Sequence, residues 1–363
     1  MRSAKRAQKV IDVAIVGGGI AGVAAAGFLA RAGARVELFE RGGLAGAASG
    51  RNSGALQHPL DPVLVPLYRE TLELYRDVLG LDDEPAGVLM LARDAGALGA
   101  GARQLRAAFP ELEPEPVDAP PYLAPGVAAC RLRTGHPVVP AAATLALAAV
   151  AREHGAVLYT YAAAELWREG DEARGVVVEG ERRPGGAVLV AAGPWTPAVV
   201  DPSGRWRPIR PVWGVNVEVA LDDPPGAILE EAGVEAAVEG TAAPLLFSLV
   251  SAGGRSALGS TFLDAEPDAG GLADQLVRNG AAFVPALAEA RVVGARACAR
   301  PQSLDGRPLV GPLPGVDGLH VVAGHGPWGI STGPATARMA ADAILQGGSA
   351  IPAELTAVRA CGA

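Results

Sequence analysis

The sequence predicts an α/β protein in which a domain with a parallel β-sheet, assembled from separated segments, is joined to an α+β domain built on an antiparallel sheet. Three observations lead to this prediction. A glycine-rich turn joins a strand to a helix near the N-terminus, and two further strand-to-helix units occur later in the chain. The stretches between them, 81–130 and 205–295, alternate short strands with Pro/Gly-rich turns and show no βα pattern. A chain of 363 residues is long enough for two such domains.

The first unit begins with "IDVAIV" at 11–16, a β-branched run typical of a buried parallel strand. An alanine-rich helix, "VAAAGFLARAG", follows the glycine turn and is closed by Gly33. The next strand, "ARVELFE", ends at Glu40. The spacing of strand, turn, helix, strand and terminal acid is that of a Rossmann-like unit.

The turn itself has the spacing GxGxxG, with Gly17, Gly19 and Gly22. The first glycine permits the tight turn, the second lets the backbone approach a pyrophosphate, and the third lets the helix pack on the strand. Amides at the helix N-terminus, at Ile20 and Ala21, are expected to face the phosphates. Glu40 lies where a carboxylate accepts from ribose hydroxyls, and only Arg41 is placed near a 2′-phosphate. The turn therefore predicts a dinucleotide, NAD or FAD.

After Glu40 the chain does not continue with another βα unit, as a nicotinamide enzyme normally would. It enters a polar loop, "RGGLAGAASGRNSGALQHPLDP", which contains Ser49, Arg51, Asn52 and Ser53. Backbone amides and hydroxyls in such a loop can lie along an extended cofactor. A helix is then predicted from Asp61–Pro62 to Gly80.

The later units favour one long cofactor over two nucleotide sites. "GGAVLVAAGPWTPAVV" at 185–200 predicts a buried strand that breaks into a turn at Gly193, and "GLHVVAGHGPWGISTGPATARMAADAIL" at 318–345 predicts a third strand, loop and helix. The last unit has a second GxGxxG match, but no second strand with a terminal acid follows it. A helix from about Gly333 is instead expected to point its positive end at a flavin, which makes Gly326, Gly329, Ile330 and Ser331 candidate cofactor-binding residues.

The composition excludes several classes of function. The net charge of -8 argues against a nucleic acid partner, because phosphate binding requires a basic face. Cys130, Cys298 and Cys361 form no CxxC pair, so neither a zinc site nor a disulfide framework is implied and a reducing cytoplasm is the expected location. The apolar run after the basic N-terminus is explained by the first Rossmann unit, so we expect neither a signal peptide nor a membrane span.

At this point the chain resembles the FAD-dependent amine oxidoreductases, the family that includes glycine oxidase, D-amino-acid oxidase and monomeric sarcosine oxidase. The resemblance covers nearly the whole chain and is carried by the turn at 17–22 and by "SGRNSG", "GHPVVP", "VLVAAGPW", "RPVWG", "ALGSTFLD", "RPQSLDGRPLVGP" and "AGHGPWGISTGPATARMAADAIL".

The resemblance implies FAD as the cofactor and a particular division of the chain. It implies a Rossmann-like FAD-binding domain made of residues 10–80, 131–204 and 296–348, and a substrate-binding domain made of residues 81–130 and 205–295, with tails at 1–9 and 349–363. It also implies oxidation of the C–N bond of a small amino acid, which is a D-amino acid, glycine or an N-methyl amino acid such as sarcosine. In that reaction a hydride passes to flavin N5, the imine hydrolyses to an oxo acid, and O2 or another acceptor reoxidises the flavin.

Arg300 stands at the position where glycine oxidase-like proteins carry their carboxylate-binding arginine, and a buried carboxylate favours a bidentate guanidinium. Cys298 shares a strand face with Arg300 because side chains two apart point the same way. The resemblance leaves two alternatives for Cys298: a covalent link to the flavin, as in sarcosine oxidase-like proteins, or a small buried cysteine beside a noncovalent FAD. Arg296 lies on the same face, and the sequence assigns it no role.

The other candidates come from the same resemblance. Phe247 and Trp213 lie in strands where glycine oxidase-like proteins place an aromatic side chain over the substrate, and Phe247 stands where those proteins offer a tyrosine hydroxyl. Gln57 and His58 follow the polar loop, and His325 and Trp328 lie in the loop nearest the ring. We therefore treat Arg300, His58, Phe247 and Trp328 as candidates for the catalytic centre.

A second function shares this architecture, the FAD-dependent dehydrogenation of 2-hydroxy acids. It would use Arg300 in the same way but would need a histidine base, His58 or His325, for the hydroxyl proton. A third alternative is a noncatalytic or NAD-binding Rossmann protein. The sequence indicates a small-molecule substrate and gives no oligomeric state.

Overall fold

In a computed structural model the chain is described for residues 11–233, 245–347 and 351–360. The tail at 1–9 and Cys361 lie outside these ranges, as do residues 349, 350, 362 and 363 of the tail predicted at 349–363. Among the described residues no helix has the length and apolar character needed to cross a membrane.

The first sheet is the parallel sheet of the dinucleotide-binding fold. Its strands run in the order β17-β18-β11-β1-β2-β8, parallel except for β17, and an antiparallel β9–β10 pair extends from β11. Its strands are β1 (Ile11–Val16), β2 (Val36–Glu40), β8 (Val157–Thr160), β9 (Ala164–Glu169), β10 (Glu172–Val178), β11 (Glu181–Val190), β17 (Leu309–Pro312) and β18 (Leu319–Ala323).

Three helices pack together on one face of this sheet: α1 (Ile20–Arg31), α5 (Pro140–Glu153) and α8 (Gly329–Gln346). Their close approach follows from their small residues. A side chain at Gly27, for example, would stand 3.7 Å from Ala151 of α5. The remaining elements around this sheet are α2 (Ala48–Arg51), α3 (Val65–Leu79), α6 (Thr196–Val200) and the short β3–β7 pair (Ala55–Leu56, His136–Pro137).

The second sheet has the order β16-β12-β15-β14-β13-β4-β6-β5 and is antiparallel except where β13 meets β4. Its strands are β4 (Val88–Ala92), β5 (Glu115–Val117), β6 (Ala128–Leu132), β12 (Ile209–Ala220), β13 (Ile228–Glu231), β14 (Leu245–Ala252), β15 (Arg255–Thr261) and β16 (Arg291–Ser303). The predicted fold class, a parallel-sheet domain joined to an α+β domain with an antiparallel sheet, is confirmed.

Two details differ from the prediction. The segments predicted to hold only strands and turns also contain α4 (Ala95–Ala108) and α7 (Ala273–Ala281). Three glycines conceal the helical pattern of α4, whose start is fixed by Asp94 accepting hydrogen bonds from the amides of Gly96 and Ala97.

The predicted domain boundary at residue 296 falls inside β16, and the one at 130/131 falls inside β6. β16 pairs with β12 along almost its whole length, from Arg291–Ala220 to Ser303–Ile209. One continuous strand of the second sheet therefore crosses the predicted boundary at 296. The division into domains stays a prediction.

Candidate active site

A cavity of about 650 Å³ opens at the carboxyl ends of β1, β2 and β11, where an open α/β sheet binds its ligands. Its volume lies within the range of cofactor and small-molecule pockets. Fourteen of the residues predicted to bind the cofactor line it: Gly17, Gly19, Ile20, Ala21, Glu40, Arg41, Ser49, Arg51, Asn52, Gly193, Cys298, Gly326, Gly329 and Ile330. The three strand-to-helix turns thus converge on one cavity.

The first and last glycines of the turn motif are packed too tightly for any side chain. Gly17 has φ +117°, a conformation that favours glycine, and a side chain on it would collide with the backbone of Ala191. A Cβ on Gly22 would collide with the carbonyl oxygen of Gly17. Gly22 is the one glycine of the turn motif that does not line the cavity. It packs instead against the carbonyl of Gly17.

Glu40 is held in a fixed position at the tip of β2. Its Oε2 accepts from the amide of Gly18 at 2.6 Å, and its Oε1 accepts from the amide of Gly42 at 2.8 Å. Each carboxylate oxygen retains capacity to accept a further hydrogen bond, as ribose hydroxyls require. Arg41, next to it, stacks over the ring of Trp195 at 3.9 Å. The Glu40 carboxylate, which accepts hydrogen bonds, and the cavity therefore fit the adenosine half of FAD.

The polar loop is fastened to α1 and to the second sheet. Ser49 Oγ accepts from the amide of Ile20 at 2.9 Å, and Asn52 Oδ1 accepts from the amide of Gly54 at 2.9 Å. Arg296 donates from Nε to the carbonyl of Arg51 and from Nη2 to the carbonyl of Asn52, each at 3.1 Å. Arg296, to which the sequence assigned no role, is therefore the residue of β16 that holds this loop in place.

A second, smaller cavity of about 80 Å³ adjoins the first, since Asn52, Arg300, Pro327 and Ile330 line both. Its other lining residues include the predicted Ser53, Phe247 and Trp328, together with Gln57 and Glu230. Phe247 is fully buried and stacks on Phe283 with 4.7 Å between ring centroids. The ring of Phe247 thus lies in the core of the second sheet, and the smaller cavity is a pocket beside the cofactor cavity.

Arg300 lies at the junction of the two cavities. Its Nη1 donates to the carbonyl of Thr261 at 2.8 Å, its Nη2 donates to Ser260 Oγ at 2.6 Å, and the guanidinium lies 4.6 Å from the ring centre of Phe262. Burial lowers the pKa of Arg300, although a guanidinium remains charged at neutral pH. Within the described ranges no carboxylate forms a salt bridge with it. Its remaining N–H donors are available to an anionic ligand.

Three predicted residues lie outside the lining of both cavities. Gly22 supports the turn, and Ser331 Oγ accepts from the amide of Gln57 at 3.2 Å. The ring of His58 packs edge-on against Tyr68 and Phe109, with centroids 5.5 and 5.3 Å away, and its Nε2 is 3.4 Å from Glu111. Burial lowers the pKa of His58. The catalytic role predicted for it stays a prediction that its position does not favour.

His325 and Trp213 line the larger cavity, and His325 Nε2 is 2.8 Å from Thr336 Oγ1. Burial lowers the pKa of His325 to about 4, so the ring is neutral at physiological pH. Sequence reasoning missed two contributors, Glu230 and Gly214. Nothing local distinguishes Glu230 in "ILEE", since only the pairing of distant strands brings it to the smaller cavity, which Arg300 also lines.

The chain is similar to known proteins over nearly its whole length. The family model described as FAD dependent oxidoreductase matches residues 12–343. Glycine oxidase of Pseudomonas aeruginosa is 29% identical over 357 residues, covering 91% of this chain and 93% of that protein. Glycine oxidase of Geobacillus kaustophilus is 29% identical over 370 residues, covering 92% of each. The crystal structure of glycine oxidase from Geobacillus kaustophilus superposes with a TM-score of 0.80 at 27% identity, covering 96% of this chain and 98% of that one.

Proposed function

The chain belongs to the family of FAD-dependent oxidoreductases, and we propose that it oxidises the C–N bond of a small amino acid whose carboxylate is bound by Arg300. The single observation that carries this proposal is the position of Arg300 between the two cavities, without a carboxylate in salt-bridge contact among the described residues. A buried cation of this kind is stabilised by an anionic ligand.

The residues present fit FAD, and when bound it supplies the acceptor for the hydride of the substrate C–H bond. The protein then has to orient the donor. Arg300 fixes the carboxylate by charge-assisted hydrogen bonds, and its own position is fixed by Thr261 and Ser260. Trp328 lines the smaller cavity with an apolar surface that excludes water from the donor.

The size of the smaller cavity limits the donor. At about 80 Å³ it is roughly half the size of an apolar cavity that admits benzene. A donor with few heavy atoms, such as glycine, a small D-amino acid or sarcosine, is therefore favoured over one with a bulky side chain. The glycine oxidase names of the two curated relatives make glycine the first compound to test.

Oxidation of a 2-hydroxy acid is the second candidate, and it needs a base for the hydroxyl proton. His58 lines neither cavity, and His325 Nε2 is engaged by Thr336 Oγ1. These placements support the amino acid over the hydroxy acid.

Anaerobic reduction of the flavin tests the proposal. We expect the flavin absorbance at about 450 nm to bleach with at least one of glycine, sarcosine, proline or a panel of D-amino acids, and not with the matching 2-hydroxy acids. Bleaching only by hydroxy acids would favour the second candidate. A purified protein without flavin absorbance that binds NAD would contradict both. Mixing the reduced protein with O2 or a quinone then identifies the acceptor.

Arg300→Met should raise KM for a carboxylate donor far more than for a simple amine, because the substrate carboxylate loses its hydrogen bonds to the guanidinium. Arg210→Met is the control, because Arg210 pairs with Asp264 at 2.7 Å and lines neither cavity. Equal effects of Arg300→Met on acids and amines would contradict the role given to Arg300.

A further inference from the structure

We propose that Glu230 and Gln57 form a subsite for an ammonium group in the same small cavity as Arg300, so that the protein selects a zwitterion without a second negative charge. This inference rests on the proposed function, whose carboxylate site is Arg300. The inference assigns the residues that bind the amino group of the donor. It also predicts which anions bind poorly in the cavity.

Glu230 reaches the cavity from the second sheet. It lies on β13, where it pairs with Ser248 of β14, and both residues line the cavity. Side chains paired directly across two strands share one sheet face. The carboxylate of Glu230 and the guanidinium of Arg300 thus stand on the wall of one cavity of about 80 Å³. A small amino acid bound there has its two charged groups within reach of both.

Gln57, which directly follows β3, orients the Glu230 carboxylate. Its side-chain Nε2 donates to Glu230 Oε2 at 2.9 Å, and its backbone N–H donates to Ser331 Oγ at 3.2 Å. The side-chain Oε1 of Gln57 is buried and has no hydrogen-bond donor among the described residues. Gln57 also lines the cavity. A buried acceptor left unpaired is costly, and a donor in the adjoining cavity would satisfy it.

An ammonium group matches this arrangement. It carries several N–H donors, enough for the Glu230 carboxylate and for Gln57 Oε1 together, whereas a hydroxyl donates only one hydrogen. The rest of the lining includes Ala55, Leu246, Phe247, Phe262, Trp328 and Ile330, so charges inside are weakly screened. A zwitterion therefore places its ammonium group near Glu230 and its carboxylate near Arg300.

The same carboxylate disfavours other anions. A 2-hydroxy acid brings only its negative charge next to Glu230, and a dicarboxylate brings two. In both cases a negative charge of the ligand lies near the Glu230 carboxylate in a cavity with apolar walls. The repulsion between these charges weakens the binding of such ligands. Glu230 is therefore the residue that separates amino acids from hydroxy acids of the same shape.

The test uses two isosteric probes, 2-aminoisobutyrate and 2-hydroxyisobutyrate. Neither has a hydrogen on the α-carbon, so neither reduces the flavin, and binding to the holoenzyme is measured from the change in flavin absorbance. We expect the wild-type protein to bind the amino acid at least about tenfold more tightly than the hydroxy acid. Glu230→Gln should bring the ratio of the two dissociation constants close to one, by weakening the amino acid and not the hydroxy acid.

Glu231→Gln is the matched control, with the same chemical change one residue along β13. Glu231 lines neither cavity, and its Oε2 accepts from the amide of Phe247, which a glutamine oxygen can still do. We expect this variant to keep the wild-type ratio. Should Glu230→Gln fail to retain flavin, Gln57→Met, which removes both the orienting donor and the unpaired acceptor, should also lower the ratio.

Equal binding of the two probes by the wild-type protein would overturn the inference, and so would an unchanged ratio in Glu230→Gln. If neither probe enters the cavity, glycine and glycolate are compared on holoenzyme with prereduced flavin, which cannot oxidise them, and the same two outcomes decide. These results are separable from the proposed function. If an amino acid bleaches the flavin but Glu230→Gln leaves the ratio of the two dissociation constants unchanged, only the Glu230 subsite is contradicted. If the wild-type protein prefers the amino acid probe and Glu230→Gln abolishes that preference, but no amine bleaches the flavin, only the oxidation is contradicted.

Discussion

The guanidinium of Arg300 lies directly against the α-carbon of Gly214 on the neighbouring strand. A Cβ built on Gly214 would stand 2.5 Å from both Nη1 and Nη2 of Arg300 and 2.6 Å from its Cζ. Gly214 pairs with Cys298, two residues before Arg300 on β16. The absence of a side chain at 214 is thus what allows the guanidinium to face the small cavity.

Gly214→Ala should therefore displace Arg300 without removing it. The methyl group cannot coexist with the observed guanidinium position, so we expect KM for a carboxylate donor to rise by about tenfold or more, with a smaller effect on kcat. Steady-state kinetics measures this directly. Gly294→Ala, on the same pair of strands, is the control because a Cβ there meets nothing within 4 Å. Similar kinetics of both variants would show that Gly214 does not position Arg300.

Gly22→Ala should abolish FAD binding. A methyl group at 22 would overlap the carbonyl oxygen of Gly17, and because that atom is backbone, the turn itself must move. Gly27→Ala, in the same helix, introduces the same group at ordinary contact distance from Ala151, 3.7 to 3.8 Å. That variant should keep FAD and gain up to about 1 kcal/mol of helix propensity. FAD titration and thermal unfolding of Gly22→Ala and Gly27→Ala measure these two effects. Retained FAD affinity in Gly22→Ala would contradict the role of Gly22 in packing against the turn.

Arg296→Met should weaken FAD binding because the carbonyl of Asn52 loses the guanidinium donor and the carbonyl of Arg51 keeps only Asn216 Nδ2, at 3.2 Å. We expect the dissociation constant for FAD to rise by about tenfold, which corresponds to about 1.4 kcal/mol, with little loss of fold stability in the apoprotein. Arg255→Met is the control, since Arg255 contacts the same Glu218 at 3.1 Å but does not reach the loop. An equal loss of flavin affinity in both variants would mean that Glu218, and not the loop contact, matters.

Acid should destabilise the protein through His325. Burial lowers the pKa of His325 to about 4, below the value of about 6.5 in an unfolded chain. Between these values the unfolded state binds a proton that the folded state does not, so the free energy of unfolding falls as pH falls. The limit for one group is about 1.4 kcal/mol per pH unit. Above about pH 6.5 both states are neutral and the effect vanishes.

The measurement is chemical unfolding of the FAD-saturated protein from pH 7 to pH 4.5. His325→Gln should lose less stability over this range than the wild-type protein, because its side chain does not titrate. His154→Gln, at an exposed position, should follow the wild-type curve. Parallel curves for wild type and His325→Gln would contradict the assignment.

The elements with a local signature could be predicted from the sequence, and the small cavity could not. The turn at 17–22, Glu40 and the strand face that carries Cys298 and Arg300 all follow from spacing within one or two elements. Arg296 lies on that same face, but its role depends on a contact with the distant loop at 51–52. Glu230 and Gly214 act through partners on other strands, and His58 lies among aromatic rings contributed by separate segments. Such contacts depend on pairings that no local pattern specifies.

Cys298 supplies the last prediction, which decides between the two modes of flavin attachment. Cys298 lines the cofactor cavity but is only 3% exposed, so little of its surface is available to a group in that cavity. A thioether link requires the sulfur to reach the ring, and we therefore expect FAD to be noncovalent. After acid precipitation the yellow colour should stay in the supernatant, and Cys298→Ala should keep the wild-type flavin spectrum and affinity. Colour that remains in the pellet of the wild-type protein and is released by Cys298→Ala would instead establish the covalent link.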